Sequence, residues 1–160
     1  AERRRVDFAF VDARLVQSRQ QLMTAIVQAI VGAMRRDPKR PDAEVGLKTP
    51  SIHSDLLWTL HSNNNIAEAL RRFGVSSTTS TLILVRVAPP LDAGELVQHM
   101  SQLVDGTLQT HGLSLPSPAL AWNELGQTYK IQDTPAFQHQ DTSQVDALIC
   151  SMVASKYVGA

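Results

Sequence analysis

The stretch Asn63-Asn64-Asn65-Ile66-Ala67-Glu68-Ala69-Leu70-Arg71-Arg72-Phe73-Gly74-Val75 constrains this 160-residue chain more than any other, because it is a helix written with both end signals. Asn65 is an N-cap residue type, and Glu68 stands three positions on, where a capping-box carboxylate reaches back to the cap amide. Ile66, Leu70 and Phe73 fall at i, i+4 and i+7 and define one apolar face. Arg71 and Arg72 fill the last turn, where cations suit the helix dipole. Gly74 is expected in the left-handed position after the helix, with Val75 packing back on the last turn. Asn63 and Asn64 place two further amides beside the helix start, more polar machinery than packing needs.

The rest of the chain supplies partners for that helix. Val6, Phe8 and Phe10 alternate as on one face of a strand. Ser18 caps a helix to about Met34, with Leu22, Met23, Ile26, Val27, Ile30, Val31 and Met34 as a broad inward face. Residues 35–46 form a charged, Pro-bearing loop. Ser51 or Ser54 starts a helix through Leu60, with Ile52, Leu56, Leu57 and Leu60 inward. Thr81 to Val87 is apolar on both faces until Arg86, the pattern of a central strand covered on both sides, and Pro89-Pro90 ends it. Asp92, with Glu95 as box partner, caps a helix burying Leu96, Val97, Met100, Leu103 and Val104. A short helix carrying Trp122 is expected over Pro118 to Leu125, a strand over Thr128 to Ile131, and a loop over Asp133 to Gln140. A last helix runs from about Ser143 to Lys156, with Val145, Leu148, Ile149, Met152 and Val153 on one side. The fold class expected is α/β: a mixed β-sheet with helices packed on it, in a single domain.

Composition bounds the chemistry. A chain of this length can bury roughly 70% of its extended surface, enough to need no staples. Cys150 is the single cysteine, so no internal disulfide forms, which points to a reducing compartment or no redox role. No apolar run reaches the ~20 residues of a membrane span. Net charge is zero but segregated: 13 Arg and Lys stand against 8 Asp and Glu up to Pro90, and 2 against 7 beyond it. A basic half of that kind can engage phosphates locally. Neither phosphate-binding glycine loop is present, nor a G-x-S-x-G elbow. H-E-x-x-H and C-x-x-C are missing and the histidines are scattered, so no metal site or cofactor is expected. The chain reads as one that binds rather than reacts.

The pattern Lys48-Thr49-x-x-Ile52-His53-Ser54-Asp55-Leu56-Leu57-Trp58, continuing through Ser62-Asn63-Asn64-Asn65-Ile66-x-Glu68-Ala69-Leu70 to Phe73-Gly74-Val75, resembles the Cgi/TPRKB family. The segments Leu125 to Ile131 and Asp146-Ala147-Leu148-Ile149-Cys150-x-Met152 extend the resemblance along the chain. It implies a non-enzymatic α/β subunit of the KEOPS (EKC) complex that docks on the N-lobe of the Bud-type (PRPK) kinase-ATPase and stimulates it. It also implies binding of tRNA at the single-stranded 3′ CCA end, in support of threonylcarbamoyl-adenosine modification. The threonylcarbamoyl transferase subunit is then an indirect partner, and a membrane is not one. Nucleus and cytoplasm, and a link to telomere maintenance, come with the same resemblance. The family opens with a further strand and helix, so the chain is expected to be one domain over 1–160 lacking them. Pro50 stands where the family often has Arg, and the 35–46 loop is longer than usual.

Single-stranded RNA needs cations for phosphates and amides or rings for unstacked bases. The candidates are Lys48, Asn63, Asn64, Arg71 and Arg72, each of which also has a structural reading as a cap, turn or surface charge. For the kinase, the candidates are Val145, Leu148, Ile149 and Met152 of the last helix, together with the Ser18–Met34 helix. The alternative class, a small-molecule-sensing or catalytic α/β domain, requires a deep pocket with perturbed ionisable groups.

Overall fold

The computed structural model describes residues 8–35, 46–109 and 113–157. Val6, Asp7 and all but the ends of the expected 35–46 loop lie outside these. The described chain is α/β, as expected. Strand β1 (Ala9–Asp12) pairs antiparallel with β2 (Leu82–Val85), in the register Ala9 to Val85 and Val11 to Ile83. Seven helices accompany the pair: α1 (Arg19–Met34), α2 (Ile52–Leu60), α3 (Ile66–Phe73), α4 (Ala93–Leu103), α5 (Trp122–Tyr129), α6 (Pro135–Gln138) and α7 (Thr142–Ala154).

Ala9, Val11, Ile83 and Val85 form the inward face of the sheet. Strand β2 therefore alternates, with Leu82 and Leu84 half-buried on the other side. It is not the doubly covered strand its composition suggested, because an all-apolar run looks alike whether one face or two is covered. On β1 the inward residues are Ala9 and Val11, whereas Phe10 sits on the less covered face.

Helix α1 packs on α2 and α7, α2 packs on α3 and β1, and α5 packs on the 3-10 turn Ala13–Leu15. Leu15, Leu22, Leu56, Leu60, Phe73, Leu125, Tyr129, Val145, Ile149 and Val153 meet in one core. A buried polar latch crosses it. Gln21 Nε2 donates to the Leu15 carbonyl and to the Tyr129 hydroxyl, 3.0 Å each, and that hydroxyl donates to the Leu60 carbonyl.

The caps largely follow the sequence. Ser18 accepts from Gln21 N, Ser51 from Ser54 N, Asn65 from Glu68 N, and Asp141 from Gln144 N. Asp92 caps α4 through Gly94 N.

Helix α1 is turned differently from expectation. Leu22, Ala25, Ala29, Gly32 and Ala33 face inward, while Met23, Val27, Val31 and Met34 are 47%, 50%, 42% and 77% exposed. Small residues let neighbouring backbones approach: the Thr59 hydroxyl of α2 bonds the Ala25 carbonyl at 2.9 Å. A Cβ on Gly32 would stand 2.0 Å from the Tyr157 hydroxyl oxygen. Helix α4 buries none of its residues, and Val97 is exposed rather than inward.

Thr128 to Ile131 is not a strand. It is the end of α5, where Lys130 takes a left-handed conformation at φ 55° and Ile131 N–H bonds the Gly126 carbonyl. That reversal buries both Tyr129 and Ile131, imitating the alternation of a strand. Within the expected 133–140 loop, Thr134 caps the short helix α6.

Candidate functional site

The Asn run is a turn between α2 and α3. Asn63 Oδ1 accepts from Asn65 N at 3.0 Å, so the amide expected to be served by Glu68 is served by Asn63 instead. Asn63 N donates to His61 Nδ1 at 3.1 Å, which assigns the remaining ring proton of neutral His61 to Nε2. Trp58 Nε1 donates to the Asn64 carbonyl at 3.4 Å. Beneath the turn, Lys156 Nζ donates to the His61 carbonyl at 2.7 Å and to the Asn63 carbonyl, and stands 4.2 Å from the Trp58 ring centroid.

A pocket of about 430 Å³ opens beside this turn. Ser62 and Asn64 form one wall, Tyr129 and Lys130 a second, and Met152, Ser155 and Lys156 of the α7 end the third. Its lining has two lysines, an amide and two hydroxyls beside a ring and a thioether, and no carboxylate. Burial pushes the Lys156 ammonium down to about 8. His61 is pushed down to about 4, first by burial and then by Lys156, with Arg72 and Lys130 adding to it and Glu68 opposing. The groups around the turn thus carry an excess of positive charge.

The expected RNA contacts divide in two. Asn64 is exposed and lines the pocket, whereas Asn63 is half-buried and bonds within the turn, to His61 and Asn65. Arg71 and Arg72 lie at the other end of α3, about 12 Å away by helix rise. Glu68, rather than capping, holds both: Arg71 Nη2 at 2.8 Å and Arg72 Nε at 2.9 Å. Those contacts hold the Glu68 carboxyl down to about 2, Arg71 first. Arg72 also reaches Glu124 at 3.4 Å, and its carbonyl accepts from Arg14. It is a framework residue with 22% of its side chain exposed, whereas Arg71 keeps 64% exposed. Lys48 sits before α2, at the end opposite the Asn turn. Its amide and that of Thr49 donate to the buried Asp55 carboxylate at 3.0 and 2.7 Å.

Gly74 is also not what the helix-end pattern suggested. Its φ of −75° is not left-handed, and the residue bridges to Val11 of β1. Glycine is required there by proximity, since a Cβ would lie 2.3 Å from the Leu70 carbonyl oxygen. Val75 is exposed rather than packed back.

Two of the four expected kinase contacts on α7 are corrected as well. Val145 and Ile149 are fully buried in the core and cannot meet a partner, and Leu148 and Met152 are half-buried. Among the described residues, α1 exposes a stripe of four large apolar side chains, Met23, Val27, Val31 and Met34, and Ile66, Leu70 and Val75 are exposed at α3. Sequence reasoning also missed Lys130 and Lys156 as pocket residues. The available signal was a lone lysine directly after the last helical turn.

An uncovered apolar helix stripe together with a cationic, amide-bearing pocket defines a small α/β domain of the docking kind. The chain belongs to the CGI-121 family of kinase-binding proteins, whose model, described as "Kinase binding protein CGI-121", matches residues 1–157. It is 36% identical over 107 residues to the EKC/KEOPS complex subunit CGI121 of Gibberella zeae, covering 62% of this chain and 50% of that protein. It is 33% identical over 103 residues to the Aspergillus terreus subunit of that name, covering 63% and 48%. A Cryptococcus neoformans subunit of the same name is 30% identical over 182 aligned positions, covering 98% of this chain and 79% of that protein. The chain thus spans about half the length of the first two relatives.

Proposed function

We propose that this chain is a non-catalytic KEOPS subunit that docks on and stimulates the Bud-type kinase of the complex through the α1 stripe. In the same reading, the pocket beside the Asn63–Asn64 turn receives the single-stranded 3′ CCA end of tRNA, in support of threonylcarbamoyl-adenosine formation. The observation that carries the reading is the stripe itself: four large apolar side chains, one helical face apart from the core, in a chain of a kinase-binding family. Burying them would remove surface worth ~25 cal/mol per Å². A contact of this kind is disrupted by a charge at its centre. The RNA half is supported by Asn64, Lys130 and Lys156 converging on a pocket that Met152 also lines. Arg71 is placed to meet a phosphate further along the strand, and Lys48 is not near this pocket.

The test is co-purification of the kinase with Val27→Asp and Val31→Asp variants, whose substituted side chains point to solvent and leave the core intact. Loss of the kinase with retained folding is expected. Normal co-purification by both variants removes α1 as the docking face. Anisotropy with a labelled RNA ending in CCA, against the same oligomer lacking those three nucleotides, tests the second half.

A further inference from the structure

Lys156 is 5% exposed, yet no carboxylate bonds it among the described residues. Its ammonium has three donors; two go to the His61 and Asn63 carbonyls, and its charge lies over the Trp58 ring. The third has no protein partner among the described residues, and the residue lines the pocket. The next residue secures the arrangement. Tyr157 meets Trp58 edge-on at 5.4 Å, occupies the space that Gly32 leaves free, and carries the Arg35 guanidinium 5.2 Å from its ring centroid. The turn after α7 is thus locked on one side to α1 and α2, and reaches on the other to the turn that forms the pocket wall. Trp58 joins the two, receiving the ammonium on its face and donating its N–H to Asn64.

We propose that Lys156 is a positioning residue of the pocket: its side chain, bonded to the His61 and Asn63 carbonyls and lying over the Trp58 ring, holds the 61–64 turn in place. The RNA consequence rests on the reading given above; the clamp itself does not. The titratable and charged groups around the clamp are few. His61 is neutral, Lys130 and Arg72 are cations that reinforce that neutrality, and Glu68 is committed to Arg71 and Arg72. Asp55 and Arg35 act on Tyr157 rather than on Lys156. Burial alone lowers the Lys156 ammonium, to about 8.

The test has two arms on the full chain. In the first, the Lys156 ¹³Cε resonance is titrated from pH 6.5 to 10, in parallel with Trp58 fluorescence in a Trp122→Phe background. Both signals are expected to move together with a midpoint near 8. The fluorescence transition is expected to vanish in Lys156→Met and in Lys156→Arg, which keeps its charge throughout. A Trp58 transition that persists unchanged in Lys156→Met, or a Lys156 resonance titrating at the ordinary lysine position, overturns the clamp. In the second arm, affinity for the CCA-ended RNA is measured across the same range. A tenfold or greater loss is expected for Lys156→Met at pH 7, with Lys156→Arg holding its affinity. Equal affinity of the parent chain and a folded Lys156→Met overturns the positioning role. A parent chain that does not bind the RNA at pH 7 overturns the RNA reading and its consequence, and the first arm then decides the clamp.

Discussion

Protonating His61 should cost this fold several kcal/mol, and the structure sets both the pH window and the size. The ring is buried, its Nδ1 accepts the Asn63 N–H at 3.1 Å, and it makes a T-shaped contact with Phe73 at 5.9 Å between centroids. A proton on Nδ1 would remove the acceptor and put a cation beside the Lys156 ammonium. Burial first and Lys156 second thus push His61 from the usual 6.5 to about 4. The unfolded chain takes up the proton as pH falls through 6.5, while the folded chain resists until about 4. Stability is fully present above 6.5, declines between these values and levels off below them. At about 1.4 kcal/mol per pH unit, the full interval is worth roughly 3 kcal/mol, and roughly 2.5 kcal/mol is lost by pH 4.5. The assay is urea unfolding at pH 7 and 4.5 for the parent chain and for His61→Asn, whose side-chain oxygen can still accept from the turn. The variant should be less stable at pH 7 and lose less on acidification, by about the amount above. Parallel losses in the two proteins would refute a buried neutral His61.

Three further outcomes follow from the same contacts. Asp55→Ala removes the charged acceptor of the Lys48 and Thr49 amides, at about 1.5–3 kcal/mol for each hydrogen bond to a charged group, read by chemical denaturation. Glu68→Gln weakens its grip on Arg71; the variant should bind CCA-ended RNA more tightly and steepen the log–log salt slope by about 0.7 if one phosphate contact is gained. The Glu68 contribution to stability in the parent chain is fully present above the usual 4.5 and is lost as pH falls from there towards 2, because Arg71 and Arg72 hold that carboxyl ionised in the folded chain. Gly126→Ala places a Cβ 2.3 Å from the Phe137 ring, which stacks on Trp122 at 4.9 Å. The overpacking cost of about 1–3 kcal/mol should exceed the ~1 kcal/mol gained in helix propensity, and Phe137→Ala in the same chain should relieve the clash.

Cap residues and interior positions of the middle and last helices were legible, because Ser, Asn and Asp declare helix starts and Leu56, Phe73 and Ile149 repeat at helical spacing. Orientation was less so. Hydropathy ranks Met23 and Val27 above Ala25 and Gly32, but a helix squeezed between two others buries what is small. Tyr129 and Ile131 alternate like a strand because one left-handed residue between them turns both inward. The pocket was half legible. Asn64 stood in an amide run, whereas Lys156 reaches its partners across 93 and 95 residues of sequence, which no local pattern reports. Arg71 and Arg72 looked equivalent, and the Glu124 carboxylate, distant in sequence, separates them.

The inward turn of the small residues on α1 has a consequence for the life of the free chain. A subunit whose largest side chains on one helix face water is least soluble when made in excess of what covers it. Its self-association, followed by light scattering against concentration, should fall in Val27→Asp, and its lifetime in the cell should track the supply of its partner. The face of α1 that keeps the interior tight thus leaves the opposite face to make stoichiometry matter.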